Sequence, residues 1–327
     1  MKSFGSYNLA TIGISDGSAG IGRAVLANEA AFNATFFSKP LTDFAVGFKS
    51  DEKKVDDLLA FLAPKVRTTR KFQYKVADNA DAFAVVSDDS DVRALGGQFK
   101  TVATTGNIVD SHTVSKGLST VVDRDDLEEN PNALEEKVAW LMLLLKRADA
   151  LRAWTLLANG ATNTAKTWSA EEGTPDQDLL EKIDAAGDSL GFNPNRILFG
   201  STAWQKRLLC LGSKNTAGGF AGYSLSPDAL AQFLAVDKVM VSSERYTSGT
   251  GKAKIVGAAI ALMFTGSDSA STEDPSNAKT FWSPVMGGGE YAVFKDETQA
   301  EFVKVTVMHK SQIVLTNTLG MQKLTIS

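Results

Sequence analysis

The sequence holds almost none of the residues from which disulfide scaffolds and metal centres are built. Its 327 residues include one cysteine, Cys210, and two histidines, His112 and His309. One cysteine excludes an intramolecular disulfide and suits a reducing cytosol. Its neighbours Leu208 and Leu209 mark it as a core residue rather than a nucleophile. Neither histidine has a metal-ligand partner nearby in sequence, and both fall in strand-like segments, so they read as structural. Positive charge is not in excess either. A formal net charge of −4 argues against a dedicated nucleic-acid binder, whose domains are strongly basic. The longest apolar runs, Val138–Leu145 and Ile255–Phe264, fall far short of the roughly 20 residues of a membrane-spanning helix. Met1–Ala10 carries one lysine and no apolar stretch, so it does not read as a signal peptide. These absences predict a protein made in the cytoplasm.

Catalytic equipment is missing as well. Ser15-Asp16-Gly17-Ser18-Ala19-Gly20-Ile21-Gly22-Arg23-Ala24 resembles the nucleotide loop of short-chain dehydrogenases. Asp16, however, stands where that family's first glycine belongs, and its carboxylate would repel phosphate. A Tyr-x-x-x-Lys, Tyr291 to Lys295, lies at the far end of the chain in a strand-like segment. A dehydrogenase is therefore the remote alternative. Gly249-Thr250-Gly251-Lys252 has the wrong spacing for a phosphate loop and lacks the hydroxyl residue after lysine; it reads as a turn. Asp123, Asp125, Asp126, Glu128 and Glu129 lack the glycine of a calcium loop and read as an acidic lead-in to a helix. No Gly-x-Ser-x-Gly elbow accompanies the histidines. No enzymatic activity, cofactor or metal is expected.

What is present is a distinctive order of elements. Residues 1–48 are rich in Gly, Ser, Ala and Asn without a sustained period, and read as an extended arm. Asp51–Leu62 is an amphipathic helix with Val55, Leu58, Leu59 and Leu62 on one face, ended by Pro64. Lys71–Val76 alternates polar and apolar residues, the period of a strand with one covered face. An acidic stretch, Asp78–Gly97, follows, and the Val- and Thr-rich Phe99–Val122 reads as returning strands. Together they make a long two-stranded arm with an acidic tip, which is barely stable alone in water and needs a surface to lie on.

The clearest helix covers Pro131–Asn159. Asn130 is its cap, Pro131 its first residue, Glu135 and Glu136 lie near its positive end, and Gly160 stops it. Leu134, Val138, Leu141, Leu145, Ala148 and Leu151 predict one buried stripe. At about 1.5 Å per residue the helix is on the order of 43 Å long, the backbone of an elongated domain. Beyond it, helices over Asp176–Leu190 (closed by Gly191), Ser201–Leu209 (capped by Ser201) and Pro227–Leu234 alternate with strands Arg196–Phe199, Lys238–Val241 and Ala258–Phe264. Gly212–Gly222 reads as a glycine-rich loop. This is a compact α/β lobe. Glu290–Phe294, Phe302–Met308 and Gln312–Thr316 are closing strands.

Arm, hairpin, very long helix, α/β lobe and returning strands form an order that resembles the major capsid proteins of tailed bacteriophages, the fold named after phage Hong Kong 97. Wording agrees with order in several places. Leu62-Ala63-Pro64-Lys65-Val66 ahead of Arg70-Lys71-Phe72-Gln73-Tyr74 is similar to that family's approach to its E-loop. Val121-Val122-Asp123-Arg124-Asp125-Asp126, with Lys146-Arg147-Ala148-Asp149-Ala150-Leu151 further on, resembles its spine-helix region. Asn195-Arg196-Ile197-Leu198-Phe199-Gly200-Ser201-Thr202-Ala203-Trp204 resembles the strand and helix that open its axial domain. The helix Pro227–Leu234 before Val236-Asp237-Lys238-Val239-Met240-Val241 is also similar. The likeness covers about residues 50–327.

The resemblance implies an α+β fold: an N-terminal arm (1–48), a lead-in helix of the peripheral domain (49–66), an E-loop (67–110), a peripheral domain (111–191, spine helix 131–159), an axial domain (192–283) and returning strands (284–327). It implies a structural subunit of an icosahedral head that assembles with itself into pentamers and hexamers around double-stranded DNA, without sequence-specific binding and without a membrane. Portal, decoration and scaffolding proteins are the implied partners, the last as a separate chain because no long helical segment precedes the arm. The implied place is the virion capsid, assembled in the host cytoplasm. An encapsulin-like nanocompartment shell is the alternative. Arg67, Arg70 and Lys71, at the base of the E-loop, are the candidate intersubunit contacts; the bland reading is that they are solvated strand charges. The Gly212–Gly222 loop is expected at the ring centre. Some relatives join an E-loop lysine to a neighbour's asparagine, for which Lys71 or Lys75 with Asn317 would be the residues here.

Overall fold

The computed structural model describes residues 34–48, 54–76, 107–214, 217–268 and 274–327, with single positions 92, 95, 97, 98 and 271. Most of the expected arm, with the Ser15–Ala24 segment, lies outside the described residues, as does most of the acidic stretch that follows Lys71–Val76.

Helices α1 (Lys39–Gly47) and α2 (Lys54–Leu62) lead to strand β1 (Lys65–Arg67) and the hairpin strands β2 (Lys71–Val76) and β3 (Asn107–His112). Next come β4 (Val114–Asp123), the short helix α3 (Arg124–Glu129) and the 28-residue helix α4 (Ala133–Gly160). The lobe follows: β5 (Thr162–Lys166), α5 (Pro175–Leu190), β6 (Arg196–Gly200), α6 (Ser201–Ser213), α7 (Ala217–Tyr223), α8 (Pro227–Phe233) and β7 (Lys238–Ser242). A small hairpin, β8 (Arg245–Ser248) and β9 (Gly251–Lys254), precedes β10 (Ile260–Phe264). The chain closes with β11 (Ala278–Trp282), β12 (Tyr291–Asp296), β13 (Phe302–Leu315) and β14 (Gln322–Ile326).

Two five-stranded sheets organise these pieces. In the first, β13 carries β4 along one edge, from Phe302↔Asp123 to Ser311↔Val114, and β12 then β11 in tandem along the other. β1 joins β11 in parallel. The second sheet runs β5-β14-β10-β6-β7. Its central strands β6 and β10 are covered on both faces, as the unbroken burial of Arg196–Gly200 requires. Leu198, Leu262 and Phe264 face α2 and the second half of α4. Ile197, Phe199, Ala261 and Met263 face Leu179, Ile183, Leu230 and Cys210, the last fully buried.

The long helix therefore serves two cores. Val138, Leu141, Met142 and Leu145 pack on Val303, Val305 and Val307 of the first sheet. Ala150, Ala153, Trp154 and Leu157 belong to the core shared with the second. The single predicted stripe is corrected accordingly. Ala148 and Leu151 are only half-buried, whereas Lys146 and Asp149 are buried.

Several other boundaries differ from expectation for physical reasons. α1 lies within the segment expected to be extended; burying Leu41 and Ala45 against Tyr291 and Val293 makes it a helix. The acidic lead-in is itself helical, with the Asp123 carboxylate accepting from Asp125 N–H at 3.1 Å. Asn130 closes that helix, and Asn132 is the N-cap of α4. Gly160 is the last helical residue rather than the stop. Ser201 is helical, not a cap; Gly200 precedes the helix because a Cβ there would sit 2.0 Å from the Gly257 carbonyl oxygen. Part of the Gly212–Gly222 loop is helix α7. Its glycines permit close packing: a Cβ on Gly212 would meet the Tyr223 ring at 3.0 Å. Phe302–Met308 and Gln312–Thr316 are one strand, since His309 and Ser311, polar in sequence, are buried. Gly249, at φ +58°, turns the β8–β9 hairpin as expected.

A charged cluster joins α4 to the first sheet. Lys116 Nζ donates to Asp149 Oδ1 at 2.9 Å and to Ser311 Oγ at 3.0 Å, and Arg152 donates to the same carboxylate at 2.6 Å. His309 Nε2 stands 3.5 Å from Asp149 Oδ2, and its ring stacks on Tyr291 at 5.2 Å. Burial by itself would raise the Asp149 pKa, but the Lys116 and His309 charges outweigh it and hold the carboxyl below its usual range. Burial pushes His309 down to about 4. Between pH 6.5 and 4 the unfolded histidine binds a proton that the folded one refuses, so stability falls as pH drops through that window, by at most about 3 kcal/mol. Thermal melts of wild type and His309→Gln check this: the variant should lose most of the pH dependence between 7 and 4. Asp149→Ala strands the half-buried Lys116 ammonium and should cost about 3 kcal/mol in chemical denaturation.

Candidate assembly surface

The hairpin β2–β3 is a two-stranded sheet of its own, paired from Lys71↔His112 to Val76↔Asn107. Among its described residues only the base is anchored. Phe72 stacks on Phe281 at 4.4 Å, Tyr74 lies 6.0 Å from the same ring, and Val66 and Val314 complete the cluster. Gln73 bonds across the strands to Asp110 at 2.8 Å. Further out the support stops: Ile108 is 66% exposed and Val109 37%. β4 is similar. It is bonded to β13 along one edge, pairs with no strand on the other among the described residues, and exposes Val114, Leu118 and Val121. An exposed edge of this length is a template for another chain unless something covers it.

At the hairpin base the structure gathers positive charge. Thr68 N–H donates to the Trp282 carbonyl, Thr113 N–H to that of Arg70, and Ser283 N–H to that of Lys310. These backbone bonds bring Arg67, Arg70 and Lys310 around a concavity of about 670 Å³ also lined by Thr68, Thr69 and Pro284. The Arg67 guanidinium lies 5.7 Å from the centre of the Trp282 ring. Lys71 is exposed beside this rim. No carboxylate lies within 4.0 Å of Arg67, Arg70, Lys71 or Lys310 among the described residues. The predicted contact residues thus form one patch. Lys310 was missed because the polar run around it reads as a break between strands.

A second exposed surface lies on the lobe. Leu209 is 68% exposed and Tyr223 51%, and with Trp168 and Leu208 they border an apolar concavity of about 790 Å³. His112 ends β3. Asn317 is 3% exposed; its Oδ1 accepts from Leu319 N–H at 2.8 Å and its carbonyl from Asn277 Nδ2 at 2.9 Å. The side-chain amide is thus buried and engaged in the isolated chain.

Solved structures share this architecture. A phage-related protein from Bordetella bronchiseptica superposes with a TM-score of 0.63 at 15% identity, over 88% of this chain and 97% of that one. A virus-like particle from Pyrococcus furiosus gives 0.51 at 10% identity, over 88% and 99%. A prophage protein of Escherichia coli assigned as its capsid protein gives 0.51 at 10%, over 89% and 99%. No protein-family model matches the sequence, and no curated protein matches it. The fold is the α+β, Hong Kong 97-like capsid fold.

Because Asn317 is sealed, assembled particles boiled in detergent should run as single chains of 34.9 kDa. A ladder of multiples that disappears in Asn317→Ala would contradict this.

Proposed function

We propose that this chain is the structural subunit of an icosahedral phage head, assembling with itself into pentamers and hexamers that enclose double-stranded DNA. The observation that carries the reading is the hairpin: a two-stranded projection whose described residues are anchored only at the base, on a fold shared with a prophage protein assigned as a capsid protein. Two strands in water are marginal, so the rest of the projection gains stability by lying on a neighbouring subunit. The exposed edge of β4 and the apolar face around Leu209 and Tyr223 supply further surface for contact between copies. The work is mechanical, not catalytic, and calls for no cofactor.

On this reading the N-terminal arm, the E-loop, the peripheral domain around the long helix and the axial lobe have the roles their order implies. Arg67, Arg70 and Lys71 contact a neighbour. Portal, scaffolding and decoration proteins are the further partners, and the shell is built in the host cytoplasm before it becomes the virion capsid.

Negative-stain microscopy of the expressed chain should show closed shells. Nuclease-protected DNA in particles from infected or induced cells supports the head; a co-purifying protein cargo instead points to a nanocompartment. A small, discrete oligomer that binds a nicotinamide cofactor would overturn both.

A further inference from the structure

We infer that the positive concavity at the hairpin base receives the acidic helix α3 of a second copy of this chain. The inference rests on the shell reading and names the partner of its contact residues.

Each half is incomplete alone. Arg67 and Arg70 are exposed, Lys310 half-buried, and none has a carboxylate within reach among the described residues. Among the described residues, Asp110 is engaged with Gln73 and Glu290 with Lys65. On α3, Asp125, Asp126, Glu128 and Glu129 are all exposed, and no cation lies within 4.0 Å of them among the described residues. Arg124, in the same helix, turns its guanidinium to the backbone carbonyls of Glu297 and Gln299 instead. The arrangement is unfavourable in an isolated chain. Asp125 repels Glu128 and Glu129 at helical spacings of three and four residues. Glu128 and Glu129 also occupy the last turn, where the helix dipole favours cations and none is present. Positive charge from outside would relieve both penalties.

Within one chain the charges of this concavity do not reach α3. Asp123, the cap of α3, pairs with Phe302 at one end of β13, while Lys310 lies eight residues along the same strand. At about 3.3 Å per residue the patches are about 26 Å apart on a rigid sheet. This is well beyond the screening length of about 8 Å at physiological salt. Unlike patches at opposite ends of one body can only meet head to tail, a heterologous contact that propagates around a closed shell. Exposed pairs are individually weak, so this contact sets register and encounter while apolar burial supplies the remaining affinity.

Charge exchange in the full chain tests the pairing. Arg70→Glu with Lys71→Glu, and separately Glu128→Lys with Glu129→Lys, should each lower the yield of shells at least tenfold at low salt. The second pair should leave the melting temperature of unassembled chain unchanged or higher, because lysines suit the end of the helix; this separates lost assembly from lost folding. The four changes combined should restore shells. If the arginine–lysine pair fails to fold, Arg70→Gln with Lys71→Gln replaces it, with the same direction expected. Wild-type shells that persist through either exchange, or a folded combined variant that stays unassembled, overturn the pairing alone. Shells that form normally with Arg70→Glu and Lys71→Glu but lose their protected DNA assign the patch to nucleic acid instead, and also overturn it. A wild-type chain that never assembles defeats the shell reading and this contact with it.

Discussion

The buried carboxylate of Asp149 is the constraint on which the rest of the peripheral architecture depends. It sits near the middle of a 28-residue helix, 3% exposed, where an unpaired negative charge would be untenable. Its counter-charges come from Arg152 in its own helix and Lys116 in β4, with His309 of β13 nearby. Only one rotation and one axial position of the helix over the sheet satisfy all of them. Apolar contacts alone would allow the helix to slide with modest loss, since valines at alternate positions of β13 offer a repeating surface. The charged cluster removes that freedom.

A second tie secures the helix to α2, and α2 to the lobe. Lys146, also buried, bonds to Asp56 of α2 at 2.9 Å. Arg196, 1% exposed in the second sheet, donates to the carbonyl of Phe61 at the end of α2 at 2.6 Å and covers its ring. A guanidinium at a helix C-terminus meets both the free carbonyls and the negative end of the dipole. The lead-in helix is thereby clamped between the long helix and the lobe, and the hairpin that follows leaves the body from a rigid base.

The same architecture makes folding a long-range problem. β4 pairs with β13, Asp123 opposite Phe302 and Val114 opposite Ser311, and β1 pairs with β11, Lys65 opposite Thr280. Loop-closure entropy must be met before such pairings contribute, so sheets of this kind form slowly. Exposed edges such as β4 are then at risk of pairing with wrong partners.

Local chemistry made much of this legible. The hairpin strand Lys71–Val76 announced itself by alternation, the helix Asp176–Leu190 by its period and by Gly191, which takes the left-handed conformation at φ 87°. The cap Ser226 was not read, although its position before Pro227 carries the signal. Arg67, Arg70 and Lys71 were visible as a group because they are neighbours in sequence. Lys310 could not be placed with them, nor could Asp149 be seen as buried, because charge in sequence ordinarily signals solvent.

The amino-acid order by itself determined where the strongly periodic segments are helical or extended, because periodicity, caps and breakers act over a few residues. Tertiary structure alone decided that two predicted strands are one, that polar His309, Ser311 and Asp149 lie inside, and that positive and negative ends stand apart on one sheet. These outcomes depend on residues far apart in the chain meeting, and the energy of a buried charge is set by partners that no local pattern specifies.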